Sequence, residues 1–546
     1  MGDTHKRLPH QQPYRLSNSR YSAHILQIML LAPSHANSWA TKVKRTIFDE
    51  VHSIGNAEDG LVWEQLLLLA PCPIIALSAT VCNPSEFSQW LSNTQGAIGN
   101  EVVTEGTTQR YSDLRKFVYT PLSQTFSFSG LPEKTSFGKL GLDGVDDFTF
   151  VHPVASLVNK SRGIPDDLSL EPRDCLTLWS VMHKHQSNTF SVPDNLNPAH
   201  ALRDGFGKKD VVPLAKNLVE LLKVWMMDDS SPFDKVLEEL SFHTGRKKLQ
   251  ITSEEDSAAI PAKTLNVDDL TSSTLPLLCS LHREDALPAI LFNYDRSMCE
   301  KICKALKEQL TEAETSWKES SRSWKTQVAG WEKWKKTQED LAAKKAKPAK
   351  VSKKKGSPED RDDAGESSKL DRLRDAGGAD DSKYALFDPA APVDGFHFAD
   401  SKRCSPSELE EYIRQLRWKH VPEWLISALT RGIGVHHAGM NRKYRQIVEI
   451  LFRKGFLRVV VATGTLALGI NMPCKTVVFS GDSVFLTALN FRQAAGRAGR
   501  RGFDLLGNVV FQGISDAKIC RLISSRLPEL NGHFPVSQLF SDRCRM

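Results

Sequence analysis

Short apolar runs that each lead into a helical pattern occur in two separate parts of the sequence. This alternation limits the fold more than any other feature. Residues 43–48 are β-branched and aromatic and read as a buried strand, and residues 59–70 (DGLVWEQLLLLA) follow as a mostly apolar helix. Residues 74–77 read as a second buried strand running into Ser78-Ala79-Thr80, and Asn83-Pro84-Ser85-Glu86 opens a helix with a cap and an early proline. Strand, helix, strand, helix at these lengths predicts a parallel sheet covered on both faces. A second series starts at 289–294 (AILFNY) with a helix from Ser297. It resumes with helices over 408–420, 442–453 and 489–495, and strands at 434–437, 456–462, 475–480 and 507–511. The expected fold class is α/β, with two parallel-sheet lobes.

The stretch between the two series is less regular. A strand-like piece at 116–119, a Gly/Ser-rich loop over 124–147 and helical patterns over 173–183, 211–226 and 233–242 read as a connector with a helical insertion. Inside the second series, Leu310, Trp317, Trp324 and Trp331 fall seven apart, with Ala313 and Trp334 on the neighbouring line, which is a heptad seam. The seam runs into 344–355, where seven of twelve residues are lysine, and then into an acidic Gly/Asp tract read as disordered. Regular seven-residue spacing predicts packing, as a helical hairpin or self-packed arm. The alternatives are a nucleic-acid arm with tryptophans stacking beside lysines, or a docking surface for a partner protein.

Three strings carry chemistry. Ile47-Phe48-Asp49-Glu50-Val51-His52 delivers two adjacent carboxylates to a strand end, the arrangement by which P-loop NTPases hold Mg²⁺ and polarise a water. By itself that string is common. Gln493-Ala494-Ala495-Gly496-Arg497-Ala498-Gly499-Arg500 sets two arginines three apart, a spacing that aims both guanidiniums the same way and suits a γ-phosphate. The plain alternative is a basic surface turn. Residues 462–473 (ATGTLALGINMP) follow a strand end, where hydroxyls and amides can hold the phosphates of a nucleic-acid strand and Asn471 can reach a nucleotide; an ordinary strand-to-helix turn would look the same. Ser78 and Thr80 can link the carboxylates to movement of the other lobe, or simply cap the next helix.

Composition narrows the setting. At 546 residues there is room for roughly two to four domains. A net charge of +6 permits an anionic partner without demanding one. The ten cysteines show no C-x-x-C pair, and Cys299 and Cys303, four apart on a helical pattern, read as core thiols in a reducing compartment. No run reaches the length of a membrane span, and the first residues are too polar for a signal peptide.

Taken together and in order, FDEVH, LSAT, GIGVHHAGM, ATGTLALGINMP and QAAGRAGRRG resemble the superfamily 2 DExH-box helicases of the Ski2-like group. The surrounding text is similar to the cytosolic RNA helicase subgroup that includes the interferon-inducible antiviral helicases of animals and their fungal relatives. The resemblance covers roughly residues 24–537. It implies two RecA-like lobes with ATP between them, closure of which displaces one strand of a duplex or structured RNA in the cytoplasm. It implies that Asp49 binds Mg²⁺ and Glu50 is the base for the attacking water. His52, Ser78 and Thr80 would couple hydrolysis to movement, and Thr463 and Thr465 would touch the RNA backbone. Gly469 and Asn471 would lie near ATP, while Gln493, Arg497 and Arg500 close on the γ-phosphate. His436 and His437 match the HHAG stretch, which shapes a loop near RNA rather than binding metal.

The match is incomplete. Gly-x₄-Gly-Lys-Ser/Thr occurs nowhere; Gly138-Lys139-Leu140 and Gly207-Lys208-Lys209 lack the leading glycine and the hydroxyl. The first lobe is therefore expected to be incomplete and its apolar strand edge unpaired. The chain reads as an RNA helicase truncated at both ends, with impaired hydrolysis. The expected divisions are an irregular lead over 1–23, part of the first lobe over 24–110, the connector over 111–286 and the second lobe over 287–515. An insertion over 311–400 interrupts that lobe, and a C-terminal region begins at 516. A non-catalytic RNA-binding or scaffold protein is the second reading, and a DNA helicase the third.

Overall fold

The computed structural model describes residues 43–55, 60–70, 72–78, 81, 83–97, 99–106, 112–121, 126–135, 142–165, 168–201, 208–241, 267–346, 384, 387–467, 472, 474–500, 502–527 and 529–530. The irregular lead, Thr80, the acidic tract, Gly469, Asn471 and residues 531–546 lie outside them. Two cores result. The smaller contains β1 (Thr46–Asp49), α1 (Gly60–Leu69), β2 (Ile74–Leu77) and α2 (Pro84–Gly96). The strands pair in parallel from Thr46↔Ile74 to Asp49↔Leu77. Phe48, Val51, Ile54, Val62, Leu66 and Leu67 close on one face, with the Phe48 and Trp63 rings 5.7 Å apart edge to face.

Among the described residues that sheet is covered on one side only, which corrects the expectation of buried strands. Ile47 is 64 % exposed and Leu77 49 %. The β-branched run is the same on both faces, but among the described residues helices lie against just one of them.

The larger core begins where the sequence showed only a connector. Here β3 (Asp113–Tyr119) and β4 (Phe148–Phe150) precede α3 (Pro172–His185), α4 (Lys208–Met227), α5 (Phe233–Leu240) and α6 (Val267–Arg283). The second alternating series supplies β5 (Ala289–Phe292), α7 (Arg296–Ser320), α8 (Arg322–Ala346), α9 (Pro406–Trp418), α10 (Glu423–Thr430), β6 (Ile433–His436), α11 (Arg442–Lys454), β7 (Val459–Ala462), β8 (Thr476–Ser480), α12 (Ala488–Ala495), β9 (Leu506–Gln512) and α13 (Asp516–Ser524). The seven strands run β4-β3-β9-β8-β5-β7-β6, all parallel except β4. β5 to β8 are buried at every position, as parallel strands covered on both faces require. The strand-like piece assigned to the connector thus belongs to this sheet, where β3 pairs with β9 from Asp113↔Leu506 to Val118↔Phe511. The connector helices share its core through Leu178, Leu218, Trp225 and Phe233.

α7 and α8 form the arm, broken at Ser321. The tryptophan seam is packed, as its spacing predicts. Returning residues cover it: Phe396 lies 5.7 Å from Trp317, Phe387 lies 5.5 Å from Trp324, and Tyr384 lies 6.5 Å from Trp334. Beneath them Glu314, 3 % exposed, meets Arg431 at 2.5 Å and Lys318 at 2.6 Å and accepts from the Val393 N–H at 3.2 Å. Arg431 also donates to the Phe396 carbonyl at 3.0 Å. One carboxylate therefore ties the arm, the returning segment and α10 together. Among the described residues no helix is long and apolar enough to cross a membrane.

Burial alone would raise the Glu314 pKa, but hydrogen bonds and charge from Lys318 and Arg431 hold it below the usual glutamate range. Its stabilisation is then complete above the ordinary glutamate pKa and is lost as pH falls through the depressed one. Glu314→Ala, which strands the buried Arg431, is expected to cost about 3 kcal/mol in urea denaturation at neutral pH. That deficit should shrink in acid.

Candidate active site

The β1 ladder ends at Asp49, whose side chain is exposed, and the backbone turns sharply at Glu50, where φ is +59°. Few non-glycine residues adopt that conformation. The following turn, Val51–Gly55, carries His52, 6 % exposed. Its Nδ1 lies 3.0 Å from Ser78 Oγ and 3.3 Å from Glu50 Oε2. Its Nε2 lies 2.7 Å from Nε2 of Gln493, which belongs to α12 of the larger core. An amide NH₂ can only donate, so His52 Nε2 accepts and the ring proton sits on Nδ1, facing Ser78 and Glu50. Burial pushes the His52 pKa down and Glu50 pulls it partly back; the net shift is downward and favours the neutral ring this arrangement needs. Asp49, Glu50, His52, Ser78 and Gln493 therefore meet at one junction between the two sheets.

The two arginines part company there. Arg497 donates from Nε to the Ala467 carbonyl at 3.2 Å. Burial lowers its pKa, opposed by the charges of Glu50, Cys474 and Asp49. Arg500 instead holds Asp504 with both prongs, at 2.7 and 3.0 Å. The i,i+3 spacing expected to aim both forks alike assumes a continuing helix. α12 ends at Ala495, and Gly499, at φ +83°, turns the chain where a Cβ would come 2.5 Å from Ser112.

At the carboxyl ends of β6 and β7, Thr463 is 6 % exposed, its Oγ1 3.0 Å from that of the exposed Thr465. Gly464 between them leaves room for Tyr294, whose ring would stand 2.7 Å from a Cβ. His437 is buried, 3 % exposed, and shapes the loop from inside. Its Nδ1 accepts from the Gly439 N–H at 3.2 Å, and its Nε2 faces Glu300 at 3.3 Å. His436 pairs with Glu449 at 3.0 Å. Both rings are committed, and among the described residues no cluster of metal ligands occurs.

Several residues here had no sequence signal. Arg492, beside Gln493, donates to the carbonyls of Leu522 (3.2 Å) and Ser525 (2.8 Å) at the end of α13, which fixes the helix that presents the glutamine. Asn83, expected as a helix cap, makes no side-chain cap bond. It accepts from the Leu530 N–H at 3.0 Å and donates to the Leu530 carbonyl at 3.4 Å, a second tie across the two cores. Only Asp504, four residues after Arg500, had a spacing that could have suggested its partner.

A family profile for the helicase conserved C-terminal domain matches residues 408–502. Along 94 % of its length the chain is 32 % identical to the human probable ATP-dependent RNA helicase DDX60-like, and 30 % identical to a helicase of Caenorhabditis elegans. It covers 29 % of each of those relatives. Over 131 residues, 22 % of the chain and 10 % of the relative, it is 40 % identical to the antiviral helicase SKI2 of Saccharomyces cerevisiae. The chain is thus a relative of the superfamily 2 helicases that carries their conserved C-terminal domain, and its two sheets are consistent with RecA-like lobes.

Because the docked His52 resists protonation, its contribution to docking is full above the ordinary imidazole range. It declines as pH falls and stops declining once the docked ring protonates. In ¹³C-histidine-labelled protein the His52 resonance should titrate below the usual imidazole pKa. Gln493→Ala should move that titration upward; an unchanged midpoint would show that the cross-lobe bond is not formed in solution.

Proposed function

We propose that the chain is the portion of an ATP-dependent RNA helicase in which phosphate hydrolysis is coupled to movement of the lobes. The observation that carries this is the line Glu50–His52–Gln493. It joins the residue placed to act on a water to a residue of the other lobe through two contacts of 3.3 and 2.7 Å. Any shift of α12 is felt at Glu50 through a single imidazole.

The donor set fits the phosphate end of Mg-ATP. Asp49 offers a hard oxygen ligand at an open strand end, and Arg497 offers a desolvated fork from the other lobe. Magnesium, when bound, supplies neutralisation of phosphate charge. Glu50 orients and accepts a proton from the attacking water. Arg497 meets the γ-phosphate from the second lobe. Arg500 joins only when Asp504 releases it. The exposed hydroxyl of Thr465, backed by Thr463, bonds an RNA phosphate in this reading. The names of the relatives, which include ATP-dependent RNA helicases of human and Arabidopsis thaliana, support the substrate pair.

A second reading, RNA binding without hydrolysis, has one observation in its favour: no Gly-x₄-Gly-Lys-Ser/Thr string occurs in the 546 residues. ATP turnover with and without RNA separates the two. Under the first, RNA stimulates turnover and Glu50→Gln lowers it by about 100-fold or more while RNA binding persists. RNA binding with no turnover that Glu50→Gln alters would establish the second.

A further inference from the structure

The arm has one face that the function above does not use. α7 carries five cations and five carboxylates. From Arg322 to Lys336 on α8 there are five cations and one carboxylate, Glu332. At about 100° per residue, Trp324, Trp331, Trp334 and Gln338 share the packed side, and Arg322, Lys325, Lys333 and Lys336 share the opposite one. All four of those cations are exposed. Among the described residues none of them has a carboxylate partner, whereas Lys318, Lys454 and Lys475 elsewhere on this lobe pair with Glu314, Glu408 and Asp285. The fifth cation, Lys335, lies over the Trp331 ring at 5.2 Å and belongs to the seam. Glu332 and Glu339 flank the stripe and Asp340 ends it. The stripe is about 21 Å long at 1.5 Å per residue.

We propose that this stripe is a second RNA contact that takes the phosphate backbone, remote from the crest formed by Thr463 and Thr465; it rests on the RNA reading above. α7 starts beside that crest, where Glu300 faces His437, and its 25 residues carry the stripe about 37 Å away. The recognition is of charge alone. The tryptophans, the groups that could have stacked on bases, already face Phe387, Phe396 and Tyr384. A row of cations along one helix face, with no carboxylate partner among the described residues, has the spacing and sign of an anionic polymer and lacks any donor pattern for reading bases.

The test is binding of the full chain to a labelled poly(U) of about 30 nucleotides across a salt series. In the variant R322Q/K325Q/K333Q/K336Q, Kd should rise about tenfold or more at low salt, and the slope of log K against log salt should flatten by about 3. A K333Q/K336Q variant should show about half that change in slope, which guards against a folding defect in the larger one. Tryptophan emission should stay unchanged on adding RNA. Unaltered Kd and slope in both variants, with Thr465→Ala still weakening binding, would overturn the arm contact and leave the RNA reading standing. No binding by the unaltered chain would overturn both. Strong tryptophan quenching would replace the charge-only contact with base stacking.

Discussion

An imidazole nitrogen that accepts a hydrogen bond cannot also carry a proton, and the site depends on that constraint at His52. Gln493 occupies Nε2, so Nδ1 is left to donate, and Glu50 and Ser78 lie within 3.3 Å of it. Reversing the tautomer would set two donors against each other at Nε2 and turn an acceptor toward a carboxylate. The relative placement of two lobes and the protonation of one ring are thus a single variable. Arg492 and Asn83 hold the surrounding elements, so the variable has few ways to relax.

How far the sequence could be read followed how local each determinant is. Asp49 and Glu50 at a strand end, the apolar runs of β5 to β8 and the glycine-bounded arginines were legible, because each is decided by neighbours a few residues away. β3 was misplaced because its partner β9 lies almost four hundred residues on, and nothing in 113–119 states which strand it will join. Burial of β1 on one face could not be read from a run that is apolar on both. Arg497 and Arg500 looked equivalent until the chain turned between them. In each miss the deciding contact is long-range or depends on where a helix stops.

The insertion shows how an appendage can be added to a parallel sheet without disturbing it. α7 is an ordinary crossover helix for its first half, with Cys299, Ile302, Cys303 and Leu306 fully buried. Those thiols are core atoms, and burial pushes both Cys299 and Cys303 up to about 12, far from thiolate chemistry at neutral pH. Past Leu310 the same helix leaves the sheet, and Glu314 marks the point where apolar packing gives way to a buried charge cluster. The returning residues then meet the tryptophans in reverse order, from Trp334 back to Trp317, so the insertion begins and ends at one place on the lobe.

The left-handed backbone at Glu50 has a geometrical result. In an uninterrupted strand, Asp49 and Glu50 would point to opposite faces of the sheet, and a single ligand could not touch both. Breaking the alternation at that one residue lifts the constraint: Glu50 reaches His52 at 3.3 Å, and the charges of both carboxylates are felt at Arg497. Straightening that one peptide would turn Glu50 away from His52 without any change of sequence.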